Sequence, residues 1–186
     1  MKSLVLATRN KDKIEELKHL LEGLDFDIQS LEQFPQVTET VEDADTLEGN
    51  ALKKAREAFR ATQVLSLADD TGLEVGYLLG APGVFSSRYA GPKVSYAENR
   101  TKLLKDLHGV PARKRRARFR CVIAIVGPGN FERTVEGIVP GTIREEPAGA
   151  GGFGYDPLFV PQGYSKTFAE MDPLEKNHIK IGRAHV

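Results

Sequence analysis

The sequence predicts an α/β fold built on an elongated, mixed β-sheet flanked by helices. Three observations carry this. Short apolar runs alternate with segments of helical period in the N-terminal part, the later part is mostly strand-like, and 186 residues with 40% hydrophobic content suffice to bury one real core. A second independent domain would be cramped at this length, so one domain, two-lobed, is expected. No internal repeat or low-complexity linker divides the chain.

Residues 4–7 form a short apolar run, followed at once by Thr8-Arg9-Asn10 and then by Ile14, Leu17, Leu20 and Leu21 at helical spacing. This reads as strand, loop and amphipathic helix. After the turn at Gly23, residues 26–28 supply a second strand. An acidic stretch with Glu39, Glu42, Asp43 and Asp45 leads into a helix over 47–61, capped by Asp45 or Thr46. Its apolar stripe is Leu47, Ala51, Leu52, Ala55, Ala58 and Phe59. At about 100° per residue Glu48 falls inside that stripe and Lys54 on its edge, so both charges point toward the interior side. Residues 64–68 read as a strand that ends in a turn at Asp69-Asp70. Ser95-Tyr96-Ala97-Glu98 is a capping-box signature for a helix carrying Leu103, Leu104 and Leu107. Strands over 117–126, 133–139 and 158–160 complete the sheet.

The 26 basic and 26 acidic side chains cancel, so no net field draws the protein to nucleic acid or an anionic membrane, and any anion binding is local. The basic run Arg113-Lys114-Arg115-Arg116-Ala117-Arg118 therefore reads as a solvated linker before a strand rather than a nucleic-acid contact. The single cysteine, Cys121, excludes an intramolecular disulfide and reads as an inert strand residue. No run approaches the roughly 18 apolar residues that cross a bilayer, and the N-terminal apolar stretch is too short for a signal peptide. A cytoplasmic location is expected.

Four groups of residues carry the chemistry. Asp69-Asp70 places two carboxylates side by side; they repel unless a cation or proton sits between them or water solvates both. Taken alone, the pair also fits a plain solvated turn. Thr8, Asn10, Lys11 and Lys13 lie at a helix N-terminus, where free N–H groups and the dipole favour a phosphate, although Thr8 or Asn10 as a simple N-cap explains part of the pattern. Glu42, Glu48 and Lys54 surround the second helix; Glu48 completing a capping box with Asp45, and Lys54 snorkelling, are the structural alternatives. Finally, Gly149-Ala150-Gly151-Gly152-Phe153-Gly154-Tyr155-Asp156-Pro157 lacks the Gly-Lys-Ser/Thr of a Walker loop. Its glycines let backbone approach a ligand while an aromatic ring stacks on a base, or they form a ligand-free hairpin.

Together these motifs resemble the inosine/xanthosine triphosphate pyrophosphatase family. Thr8-Arg9-Asn10-Lys11-Asp12-Lys13 is similar to its T-x-N-x-x-K opening, Thr46-Leu47-Glu48-Gly49-Asn50-Ala51-Leu52-Lys53-Lys54-Ala55 to its T-[FL]-x-E-N-A-x-x-K-A helix, and Ala68-Asp69-Asp70-Thr71-Gly72-Leu73 to its A-D-D-[ST]-G-L segment. Gly80-Ala81-Pro82-Gly83-Val84, Ser87-Arg88-Tyr89 and, most specifically, Gly151-Gly152-Phe153-Gly154-Tyr155-Asp156-Pro157 also fit, in order along the chain as far as Ile179. One position departs: Gly49 stands where the family usually has Glu, with Glu48 one residue earlier.

The resemblance implies a nucleotide cleft between two lobes and hydrolysis of ITP, dITP and XTP to monophosphate and pyrophosphate. Thr8, Asn10, Lys11 and Lys13 would bind phosphates, Glu42 and Asp70 would hold Mg²⁺, and Lys54 would neutralise the triphosphate. Asp70 would be the general base with Asp69 beside it, Thr71 would contact substrate, and Phe153, Gly154, Tyr155, Asp156 and Lys176 would line the nucleoside pocket. It also implies a homodimer. Beyond Ile179 the family continues with Ser-His-Arg and a final helix, whereas this chain reads Lys180-Ile181-Gly182-Arg183-Ala184-His185-Val186. That ending is what one frame of a sequencing adapter encodes. The expectation is a domain over 1–179, truncated at its C-terminus, with 180–186 a non-native tail. The alternatives are a Maf-like nucleotide pyrophosphatase, which shares the architecture but not the glycine-rich signature, and a nucleotide-binding module inactivated by truncation.

Overall fold

The computed structural model describes residues 2–180. In chain order the elements are β1 Lys2–Leu6, α1 Lys11–Leu21, β2 Phe26–Ser30, α2 Leu47–Thr62, β3 Leu65–Val75, β4 Pro82–Gly83, α3 Tyr96–Asp106, β5 Arg116–Gly127, β6 Phe131–Ile143, β7 Phe159–Pro161 and α4 Pro173–Lys180. Among the described residues the sheet has seven strands in the order β2-β1-β3-β5-β6-β7, with β4 pairing β3. It is mixed, as expected. β1 runs parallel to β2 and β3, while β4 is antiparallel to β3 and β7 antiparallel to β6. Apart from Lys180, whose backbone closes α4, the tail over 180–186 lies outside the described residues.

The chain divides into two compact units, Met1–Asp70 with Cys121–Glu136 and Thr71–Arg120 with Gly137–Val186. In the first unit Leu4, Val5 and Leu6 are all fully buried, as a parallel strand covered on both faces requires. Leu17 of α1 joins Leu4, Leu6 and Leu67 in one cluster, with Ile14, Leu20 and Leu21 packed against it. This is the face that the helical spacing predicts. On α2, Ala51, Ala55 and Ala58 are buried and their small side chains allow close approach of the helix.

In the second unit Phe119, Phe159 and Phe168 form an aromatic centre, with ring centroids 4.7 Å (Phe119 to Phe159) and 5.2 Å (Phe159 to Phe168) apart. Around it lie Leu73, Val75, Leu103, Leu107, Val139 and Leu158. Gly141 of β6 is needed where it stands, because a Cβ there would run into the Val160 carbonyl and the Phe159 ring. α3 begins with the expected capping box between Ser95 and Glu98.

Two sequence expectations are corrected. The basic run is not a wholly solvated linker, since Arg115 is buried and its guanidinium donates to the carbonyls of Leu107, Val110 and Arg144. It caps the C-terminal end of α3, where a cation meets the negative end of the helix dipole. Glu48 does not point inward; it is exposed and accepts from the Thr134 hydroxyl at 3.0 Å. Thr46 rather than Asp45 is the N-cap of α2, accepting from the Gly49 N–H at 3.0 Å. Among the described residues no helix is long and apolar enough to cross a membrane.

Truncating Phe159 to alanine removes the ring at the middle of the aromatic centre and is expected to cost about 3–5 kcal/mol. Thermal unfolding should then show a midpoint lowered by on the order of 10 °C.

Candidate active site

β1 delivers the chain to the N-terminus of α1, and the turn between them is tied by its own side chains. Asn10 Oδ1 accepts from the backbone N–H groups of Asp12 at 3.0 Å and Lys13 at 3.4 Å, so Asn10 is the N-cap. Thr8 Oγ1 accepts from the Asn10 N–H at 3.2 Å. The positive end of the α1 dipole is thus capped by Asn10, with Thr8 bonded to the cap. Lys13, in the first turn, is buried, and its ammonium lies 3.0 Å from Asp69 Oδ2 and 3.5 Å from Glu16 Oε2. Lys11 is exposed.

Asp69 and Asp70 do not sit in a turn. β3 runs through them without a break from Leu65 to Val75. Successive strand residues point to opposite faces, so the two carboxylates have different surroundings. Asp69 meets Lys13. Asp70 accepts from Lys54 Nζ at 3.3 Å and from Asn50 Nδ2 at 3.2 Å, both on α2. Lys54 also donates to Glu42 Oε1 at 3.0 Å, so one ammonium bridges the two carboxylates expected to hold a metal. Asn50 is fully buried, and its Oδ1 accepts from the Ala44 N–H at 3.0 Å, which ties Asp70 to the segment that carries Glu42. Gly49 belongs to the same arrangement. A Cβ there would stand 2.8 Å from the Ala44 Cβ, so glycine lets that segment pass close to α2.

The electrostatics separate the two aspartates. Burial opposes the charged form of Asp69, but Lys13 and then Lys54 outweigh it and hold its carboxyl below the ordinary range. Burial pushes the Asp70 carboxyl up; Lys54 offsets part of this, and the neighbouring Glu42 and Asp69 charges add to the rise. Lys54 is desolvated, yet Asp69, Asp70 and Glu42 keep it charged. Lys13 likewise stays an ammonium, burial being overcome by Asp69. Two ammonium groups, Lys13 and Lys54, therefore face four carboxylates, Glu16, Glu42, Asp69 and Asp70. The excess of negative charge suits a divalent cation. Among the described residues no set of three or more His, Cys, Asp or Glu is arranged as a metal cage, but Mg²⁺ commonly takes only one or two carboxylates and completes its shell with water and phosphate.

The glycine-rich loop belongs to the second unit. Gly152 and Gly154 have φ of +67° and +59°, and a Cβ on Gly152 would collide with the Asp156 carboxylate. Asp156 is fully buried; its Oδ2 accepts from the Phe153 N–H at 2.9 Å and pairs with Lys176 Nζ at 2.7 Å. Lys176 Nζ lies 4.7 Å from the Phe153 ring centroid, a cation–π contact. Tyr155 is buried in the core, its hydroxyl donating to the Ser86 carbonyl at 2.9 Å. Thr71, half-buried, follows Asp70 on β3.

The sequence profile of the Ham1 family matches residues 4–184. The chain belongs to the Ham1 family. It is 51% identical over 176 residues to a protein named dITP/XTP pyrophosphatase from Desulforamulus reducens, covering 95% of this chain and 88% of that one. A dITP/XTP pyrophosphatase of Geobacter sulfurreducens is 49% identical over 99% of this chain and 93% of its own. Among solved structures, a HAM1 protein from Coxiella burnetii superposes with a TM-score of 0.89 at 40% identity, covering 99% of this chain and 94% of that one.

In this Ham1 chain the first unit gathers Thr8, Asn10, Lys13, Glu42, Lys54, Asp69 and Asp70, and the second gathers Phe153, Gly154, Asp156 and Lys176. Glu16 and Asn50 belong to the first group and were not singled out from the sequence. Glu16 is three residues after Lys13 and thus on its helical face, a signal that was there to be used. Asn50 gave no signal as a partner for Asp70, because only the fold brings them together.

Asp69→Asn leaves Lys13 buried without its nearest counter-charge, and the loss expected for breaking such a pair is about 3–5 kcal/mol. Because the folded carboxyl titrates below its unfolded value, its contribution is present above the unfolded value and lost as pH falls through the folded one. Thermal midpoints should therefore differ between the two proteins by a constant amount at neutral pH, with the difference shrinking below about pH 4.

Proposed function

We propose that this chain is a nucleoside triphosphate pyrophosphatase that hydrolyses ITP, dITP and XTP to the monophosphate and pyrophosphate, using Mg²⁺, within a single domain over 1–179. The observation that carries the mechanism is the Glu42–Lys54–Asp70 bridge beside the Lys13–Asp69 pair at the N-terminus of α1. The activity for which relatives at 49% to 51% identity are named, dITP/XTP pyrophosphatase, supports the substrate class. The reading includes a cytoplasmic homodimer, as the family resemblance implies.

Asp70 is the general base. Its raised carboxyl is a better proton acceptor than an ordinary aspartate, and Asn50 fixes the orientation of one oxygen while the other faces Lys54. It removes a proton from a water that attacks the α-phosphorus. The bond from that phosphorus to the bridging oxygen of the β-phosphate breaks, and pyrophosphate departs with the electron pair. Lys13 and Lys54 stay charged and neutralise the growing negative charge on the leaving group. Thr8, Asn10 and Lys11 bind phosphate oxygens beside the positive end of the α1 dipole. Glu42 and Asp70 would hold Mg²⁺, which when bound screens the phosphate charge as a Lewis acid. The fit rests on the excess of carboxylate over ammonium, since a polyanion approaching this group alone would be repelled. Thr71 contacts substrate. Phe153 stacks on the base, and Gly154, Tyr155, Asp156 and Lys176 shape its surroundings.

A panel of ITP, XTP, dITP, GTP and ATP, with pyrophosphate and phosphate measured separately, tests the reading. Pyrophosphate should appear from the first three, with none after chelation of the divalent cation. Asp70→Asn should lower kcat by about 10²–10⁴-fold. On the acid side of the wild-type pH profile activity should fall as Asp70 is protonated, and that limb should move to lower pH as Mg²⁺ is raised. Phosphate as the product, or unchanged turnover in Asp70→Asn, would contradict the mechanism. Binding without release would identify a nucleotide-binding module instead.

A further inference from the structure

The Phe153-Gly154 dipeptide is bracketed by two hydrogen bonds. On one side the Phe153 N–H donates to Asp156; on the other, Arg100 Nη1 donates to the Gly154 carbonyl at 2.8 Å. Arg100 is four residues after Tyr96 on α3, so the two share a helical face. The Tyr96 ring lies 5.9 Å from the Phe153 ring, tilted by 40°. One helix face therefore meets both the ring of Phe153, proposed to stack on the base, and the carbonyl of Gly154 that follows it.

This face is rigidly mounted. The Ser95–Glu98 capping box closes the first turn of α3. Asn99, buried, accepts from the Ala90 N–H at 2.8 Å and donates to the Ser87 carbonyl at 3.0 Å. Yet Tyr96 is 40% exposed, so its ring is not merely core packing. A large aromatic held partly open beside a second aromatic is a surface suited to a planar, uncharged heterocycle.

We propose that the first turns of α3 belong to the base-recognition surface, with Tyr96 a second aromatic contact for the purine and Arg100 a positioning residue that holds the Phe153-Gly154 dipeptide. The proposal rests on the function proposed above. Stacking contacts are typically worth enough to change affinity by about ten-fold or more. Arg100 acts through the loop and does not touch the reacting atoms, so its loss falls on KM rather than kcat.

Calorimetric titration of the full chain with inosine monophosphate, alongside ITP kinetics, tests this. Tyr96→Leu and Arg100→Met should each weaken inosine monophosphate binding by about ten-fold, raise KM for ITP by a similar factor, and leave pyrophosphate binding unchanged. Arg100→Lys, which keeps a donor, should recover most of the loss. Thermal midpoints identify any variant that fails to fold, and Tyr96→Phe provides a second, milder probe that should bind like wild type. Variants that fold and bind inosine monophosphate as tightly as wild type would overturn the proposal while leaving the pyrophosphatase reading intact. A wild-type protein that neither binds inosine monophosphate nor releases pyrophosphate would overturn both.

Discussion

Consecutive residues of a β-strand point to opposite faces, and the candidate site depends on that fact at Asp69 and Asp70. Because β3 continues through both residues, one carboxylate is delivered to the lysine of α1 and the other to the lysine and asparagine of α2. A turn at this place would have left two similar, solvated acids. The strand makes them different: Asp69 becomes a charged anchor for Lys13, and Asp70 a desolvated carboxylate that binds protons more tightly than usual. A structural acid and the base proposed for the reaction thus come from one dipeptide.

The surrounding charges follow from this placement. Lys54 reaches both Glu42 and Asp70, and Asn50, one helical turn before it, ties Asp70 to the segment bearing Glu42. Two buried ammonium groups stand among four carboxyl groups, an arrangement that favours the uptake of further positive charge. In the proposed reaction, a divalent cation brought with a polyphosphate would satisfy both partners. Phosphate chemistry of this kind asks little covalent work of the protein beyond placing charges and one base.

Much of this was legible in the sequence because it is local. The apolar periodicity of α1, the Ser95–Glu98 box and the strand-like runs depend on residues near one another in the chain, and the structure has them within a few positions. Lys54 was placed at the edge of the buried stripe of α2 by its helical angle, and it does face inward. What the sequence hid was set by tertiary context. Asp-Asp-Thr-Gly has the composition of a turn, yet pairing in the sheet carries the strand through it. Glu48 lies at an inward angle on an ideal wheel, yet Thr134 on β6 holds it at the surface. Arg115 looks like one charge in a basic run, and only the fold brings three carbonyls around it. α4, which carries Lys176 to Asp156, is short and has little apolar periodicity to announce it.

The division of labour between the two aspartates is read most directly by carboxyl carbon NMR of Asp69 and Asp70 as a function of pH, with and without Mg²⁺. Asp69 should titrate below, and Asp70 above, the ordinary aspartate value of about 3.9, and Mg²⁺ should lower the Asp70 value while leaving Asp69 in place. Titration of both together, the reverse order, or a Mg²⁺ response confined to Asp69 would contradict it.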